Sequence, residues 1–101
     1  MNQAQMMAQL RKMQDAMAKA QDELANTVVT GSASGDVVRV EMTGDFRVKS
    51  VKVGAEAVDP ADVETLEDLL VVACNDAIAK VQELSNKKLG GITGGLKIPG
   101  M

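Results

Sequence analysis

The sequence predicts an α+β fold in the order α-β-β-β-α, a three-stranded antiparallel meander flanked by two long helices. Three observations carry that prediction. Residues 3–25 repeat apolar side chains at the period of a helix, and so does the stretch from residue 60 to about 89. Between them, residues 27–53 hold β-branched runs broken by short Gly-containing turns. A length of 101 residues fits one domain with no room for a second.

The first helix has no Gly or Pro from residue 3 to residue 25. Met6, Leu10, Met13, Met17, Ala20 and Leu24 alternate at spacings of four and three, which draws a narrow seam along one side. Asp15 and Lys19 are spaced for an i,i+4 ion pair on the outer surface. A helix of that length runs roughly 35 Å, against a radius of gyration of about 13 Å for a compact domain of this size. One end should therefore project. An apolar seam on a projecting helix invites a second helix, so these six residues are the candidate dimer interface.

The strands are expected at 27–33, 37–43 and 46–53. In the second, Val38, Val40 and Met42 share one face and Val37, Arg39 and Glu41 the other. Gly44-Asp45 signals a two-residue hairpin. The third strand changes parity: Phe46 and Val48 start on one face, Val51 and Val53 end on the other, which predicts a bulge near Lys49-Ser50. The second helix is expected over 60–89, with Asp59 capping a first turn, Pro60 at its first position and Thr65 to Asp68 as a capping box. Gly90-Gly91 should stop it. Its apolar positions cover a wide arc, more than one small sheet can hide, so part of it should meet a second molecule. Residues 90–101 read as a Gly-rich tail whose apolar residues could dock elsewhere.

Composition narrows the chemistry. There is no His and a single cysteine, Cys74, which falls within the apolar arc. That excludes an intramolecular disulfide and leaves no proton shuttle or metal-ligand cluster, so no enzyme, no metal site and no cofactor are expected. No apolar run reaches membrane-spanning length and no leader is apparent, so a cytoplasmic protein with neither membrane nor small-molecule partner is expected. The net charge is −3, but six of the 14 acids lie in residues 56–68, leaving 8 acids against all 11 bases elsewhere. Arg11 and Lys12 sit off the seam of the first helix, Lys87 and Lys88 close the second, and Lys49 and Lys52 lie on the third strand. With one Phe and no Trp or Tyr, the sheet cannot stack single-stranded bases. If these six cations bind nucleic acid, they hold the phosphates of a duplex.

"GDVVRVEMTG" (35–44), "LEDLLVVACNDAIAK" (66–80) and "GGLKIPGM" (94–101) together resemble the YbaB/EbfC family of bacterial nucleoid-associated proteins. The resemblance spans nearly the whole chain. It implies the same α-β-β-β-α order and a tweezer-like homodimer with projecting helices. It also implies binding to DNA in the cytoplasmic nucleoid, altering DNA conformation, with roles in nucleoid organisation and gene regulation. A different class of function stays open: a dimeric protein-interaction adaptor, using an apolar cleft or the tail to hold a partner protein.

Overall fold

The structure is a computed structural model and describes residues 2–92. Its elements are α1 (Gln3–Ala25), β1 (Val28–Ala33), β2 (Val38–Thr43), β3 (Val48–Val53), a single 3-10 turn (Ala55–Ala57) and α2 (Val63–Ile92). The strands form one antiparallel sheet in the order β1-β2-β3, which is the meander read from the sequence. The molecule is drawn out, 70 × 29 × 17 Å with a radius of gyration of 19.3 Å, well beyond the roughly 13 Å of a compact chain.

α1 starts on a capping box. The Asn2 side chain accepts from the Gln5 N–H at 2.8 Å, and the Gln5 side chain accepts from the Asn2 N–H. Only the last two turns of α1 are covered, with Ala20 and Leu24 buried. Gly44 fixes that end to the β2–β3 turn by donating its N–H to the Leu24 carbonyl at 2.9 Å. A Cβ on Gly44 would lie 2.2 Å from the same oxygen, so no larger residue fits without moving α1. The remaining length of α1 is the projecting arm.

α2 lies across β1 and β2. Ala33, Val38, Val40 and Met42 pack against Ala73, Ala77 and Val81 in a single core. The approach is close because it is built from small residues. A Cβ on Gly31 would come within 2.4 Å of the Ala73 carbonyl and closer still to the Ala77 backbone. The spacing of Ala73 and Ala77, one helical turn, matches that slot. α2 also ties to α1 near its far end, where Lys88 Nζ meets Glu23 Oε2 at 2.7 Å.

The predicted bulge is present. Glu41 pairs with Ser50 and Met42 with Val48, so Lys49 is the extra residue. Its effect is to put Val48, Val51 and Val53 on the same face as Met42, Val40 and Val38, their cross-strand partners. Four expectations are corrected. Gly44 and Asp45 are the central residues of a turn closed by the Phe46 N–H to the Thr43 carbonyl at 3.0 Å, but Phe46, at φ 64, is a third loop residue and not the start of β3. α2 begins at Val63 because Asp62 caps it: its carboxylate accepts from both the N–H and the hydroxyl of Thr65, leaving Thr65 itself no capping role. Asp59 does cap the turn at residues 60–61 as expected, accepting from the Ala61 N–H at 2.9 Å, but that turn is separate from α2. Gly90 and Gly91 do not stop α2, which continues to Ile92; a glycine permits a stop without imposing one. The docking expected of the tail falls on residues 93–101, outside the described residues.

Candidate nucleic-acid interface

The arm carries Arg11 and Lys12, both exposed. Among the described residues neither has a carboxylate within ion-pair distance, and Asp15 and Lys19 do not form the pair that their spacing allows. Lys87 and Lys88, near the C-terminal end of α2, are engaged. Lys87 pairs with Glu83 at 3.4 Å, one turn back on α2. Lys88 crosses to Glu23 on α1, and Lys19 lines the same shallow depression together with Ala16 and Ala20. The hydrogen bond from Lys88, followed by its charge, holds the Glu23 carboxyl below the ordinary value.

Lys52 belongs to a different surface. It is the cross-strand neighbour of Arg39 on the sheet face that α2 leaves open, with Thr30 and Glu41 beside them. Glu41 is partly occupied, since its carboxylate accepts from the Ser50 hydroxyl. Lys49, the bulged residue, is exposed nearby on β3. The six cations chosen from the sequence therefore fall into three places: the arm, the far end of α2, and the β3 edge. Arg39 was not among them. The alternation of β2 and its register opposite Lys52 are the signal that would have added it.

The seam of α1 is divided. Ala20 and Leu24 are buried within the single chain and Met17 is half-buried. Met6, Leu10 and Met13 are 53%, 54% and 37% exposed and border a shallow apolar groove with Gln9. A second uncovered apolar surface has no counterpart in the predicted site. Val48, Val51 and Val53 of β3 face the α2 side of the sheet, yet they are 53%, 47% and 39% exposed because α2 lies mainly over β1 and β2.

One polar cluster has a structural purpose. Asp76 Oδ2 accepts the backbone N–H of Ser32 at 2.9 Å, and Lys80 Nζ donates to the Thr30 carbonyl at 2.8 Å. The two side chains also pair with each other at 3.2 Å. Asp76 is held below the ordinary carboxylate value, first by the Ser32 N–H and then by Lys80. Together they occupy two outward backbone groups of β1, the Ser32 N–H and the Thr30 carbonyl, so these charges are spent on the fold. The acids of residues 59–62 are similarly committed to the turn and cap before α2. Cys74 is half-buried on α2. Among the described residues no three His, Cys, Asp or Glu side chains gather as a metal site, and no helix is long and apolar enough to cross a membrane.

Comparison with known proteins agrees with this architecture. A model described as the YbaB/EbfC DNA-binding family matches residues 1–96. A protein of a Roseiflexus species, named nucleoid-associated protein, is 50% identical over 100 residues, covering 99% of each chain. A Chloroflexus aurantiacus protein of the same name is 48% identical over 97 residues, 96% of this chain and 97% of that one. The fold matches the crystal structure of an uncharacterized Helicobacter pylori protein, HP0035, with a TM-score of 0.81 at 20% identity, over 93% of this chain and 99% of that one. The α-β-β-β-α chain with its projecting first helix belongs to the YbaB/EbfC DNA-binding family.

Proposed function

We propose that the protein is a nucleoid-associated DNA-binding protein of the bacterial cytoplasm that acts as a homodimer and holds duplex DNA through its phosphates. The observation that carries this reading is the arm: Arg11 and Lys12 stand exposed, with no ion-pair partner among the described residues, on a helix that leaves the body of the molecule. A projecting helix can enter or straddle a groove, and cations without internal partners are free to meet phosphate. Lys87 adds to the same function by exchanging the exposed Glu83 carboxylate for phosphate, at little cost for a pair so open to solvent, and the half-buried Lys88 does so by leaving Glu23. Lys49 and Lys52 take a lesser part from the sheet edge. The open part of the α1 seam, Met6, Leu10 and Met13, is one surface that a second copy covers. Altering the path of the duplex, and through it transcription, is the consequence expected of two arms held at a fixed separation.

Cations that displace the counterions of duplex phosphates make the binding sensitive to salt, and a chain with a pI near 4.8 has little net positive charge to add to those contacts. Each phosphate engaged lowers the logarithm of affinity by about 0.9 per logarithmic unit of salt. Titration of labelled duplex at a series of salt concentrations is the test. Arg11→Glu with Lys12→Glu should lower affinity at least about tenfold for every sequence alike and flatten the salt slope. Binding that is absent at low salt, indifferent to salt, or lost for selected sequences only contradicts phosphate contact. The adaptor alternative predicts a protein partner that stays bound after nuclease treatment.

A further inference from the structure

We infer that Arg39 and Lys52, side by side on the open face of the sheet, together hold one phosphate of a DNA duplex. The inference rests on the DNA-binding reading above and adds to it a surface away from the arm.

The site follows from pleat and register. α2 covers the face of β2 that carries Val38, Val40 and Met42, so Arg39 and Glu41 stand on the opposite face. Ser32 of β1 and Lys52 of β3 are the cross-strand partners of Arg39, and Thr30 and Ser50 flank Glu41 in the same way. The open face therefore presents two rows. One runs hydroxyl, guanidinium, ammonium; the other runs hydroxyl, carboxylate, hydroxyl. Thr30, Arg39, Glu41 and Lys52 line a depression of about 160 Å³.

The charges around that depression are not balanced against one another. Arg39 and Lys52 are both exposed, and among the described residues neither has a carboxylate within ion-pair distance. The acid beside them, Glu41, is held by the Ser50 hydroxyl of its own row. Like charges directly opposite each other on neighbouring strands work against the sheet. A face built only to meet water would gain by setting an acid across from Arg39. Here two cations stand together instead, and an anion from outside relieves their repulsion.

Phosphate fits in form as well as in charge. The guanidinium presents a planar fork that matches two phosphate oxygens, and the ammonium adds a point charge beside it. The Thr30 hydroxyl lines the same depression and can donate a further hydrogen bond. The chain's single aromatic residue, Phe46, lies in the β2–β3 turn and not on this face. Bases have nothing here to stack on, so contact stops at the sugar-phosphate backbone.

Titration of the full-length chain with labelled duplex over a series of salt concentrations tests the site. Arg39→Gln with Lys52→Gln should lower affinity about tenfold and flatten the slope of log affinity against log salt by about 0.9, the share of one phosphate. Arg47 supplies the control, because it is an exposed cation already paired with Asp45 at 3.5 Å. Arg47→Gln removes the same charge as Arg39→Gln, yet it should change affinity by no more than about twofold while Arg39→Gln costs more. The urea midpoint of the double variant should hold or rise, since a repulsion has been removed. A double variant that binds with the affinity and slope of the wild type overturns the site. So does an Arg39→Gln loss no larger than that of Arg47→Gln, or a fall in the urea midpoint, which would make the pair structural. In each case the contacts of Arg11 and Lys12 still stand. A wild-type chain with no affinity for duplex at low salt overturns the DNA-binding reading itself.

Discussion

At the β1 edge of the sheet, two charged side chains from α2 reach down and occupy the outward N–H of Ser32 and carbonyl of Thr30. At the β3 edge, no group among the described residues meets the outward N–H and carbonyl of Val51 and Val53, and Val48, Val51 and Val53 are 39–53% exposed. Both edges belong to the same small sheet and face the same helix. The difference comes from where α2 sits. Gly31, Ala73 and Ala77 let it settle deeply over β1, which brings Asp76 and Lys80 within reach of one edge and takes apolar cover away from the other. A single α-helix of ordinary diameter, about 10 Å, spans roughly two strands spaced about 4.8 Å apart. Among the described residues, the third strand keeps little apolar cover. Charged side chains that reach an edge strand blunt it against further strand pairing, as Asp76 and Lys80 do at β1.

The comparison can be broken most forcefully at its origin. Gly31→Ala puts a methyl group against the backbone of Ala73 and Ala77, and α2 must lift from β1. Urea unfolding should show a loss of about 3 kcal/mol. Next in size is an effect on association with little effect on the fold. Val48→Thr with Val53→Thr should weaken self-association about tenfold in sedimentation, because the apolar surface they form lies outside the core. The same pair should shift single-chain stability by only about 0.5 kcal/mol. A large loss of stability with association unchanged would mean that those valines serve the core after all.

Asp76→Asn acts at the closed edge. The Asp76 carboxyl is held below its ordinary value of 3.8 in the folded chain. Its contribution to stability is therefore complete above that ordinary value and is lost as the pH falls through the lowered folded value. The variant should lower the urea midpoint near neutral pH and lose part of the decline that the wild type shows in acid. Midpoints measured from neutral pH to below about pH 4 check the sign. Glu23→Gln should give the smallest effect. The Glu23–Lys88 pair is open to solvent, so the midpoint should move slightly, in the same direction and over the same acid range, and salt should erase the difference.

Much of the fold is legible in the sequence because the signals are local. The 3–4 spacing of α1, the alternation of β2 and the parity change at Lys49-Ser50 each report on neighbours a few residues away, and each element is where its pattern puts it. The errors at element ends are also local, but they turn on competition between groups of similar strength. Asp62 displaces Thr65 as the cap because a carboxylate can accept from both the hydroxyl and the N–H of Thr65. Phe46 takes a left-handed turn conformation that its residue type does not announce.

The long-range features left no such trace. Asp76 meets Ser32 and Lys80 meets Thr30 across 44 and 50 residues of sequence, and only the tertiary fold brings them together. The same holds for the α1 seam. Its six residues look alike in spacing, yet the structure buries Ala20 and Leu24 and leaves Met6, Leu10 and Met13 open. The candidate cations were visible by type and element. Which of them are engaged by carboxylates was not, since Glu23 and Lys88 are joined only when α1 and α2 pack.

Amide hydrogen exchange of the full-length chain, followed residue by residue at several protein concentrations, tests the contrast between the two edges most directly. The Ser32 amide should be protected at every concentration, because its acceptor lies within the chain. The Val51 and Val53 amides should exchange quickly in samples dilute enough to hold single chains. Val51 and Val53 amides protected as strongly as that of Ser32 in such samples would contradict the account.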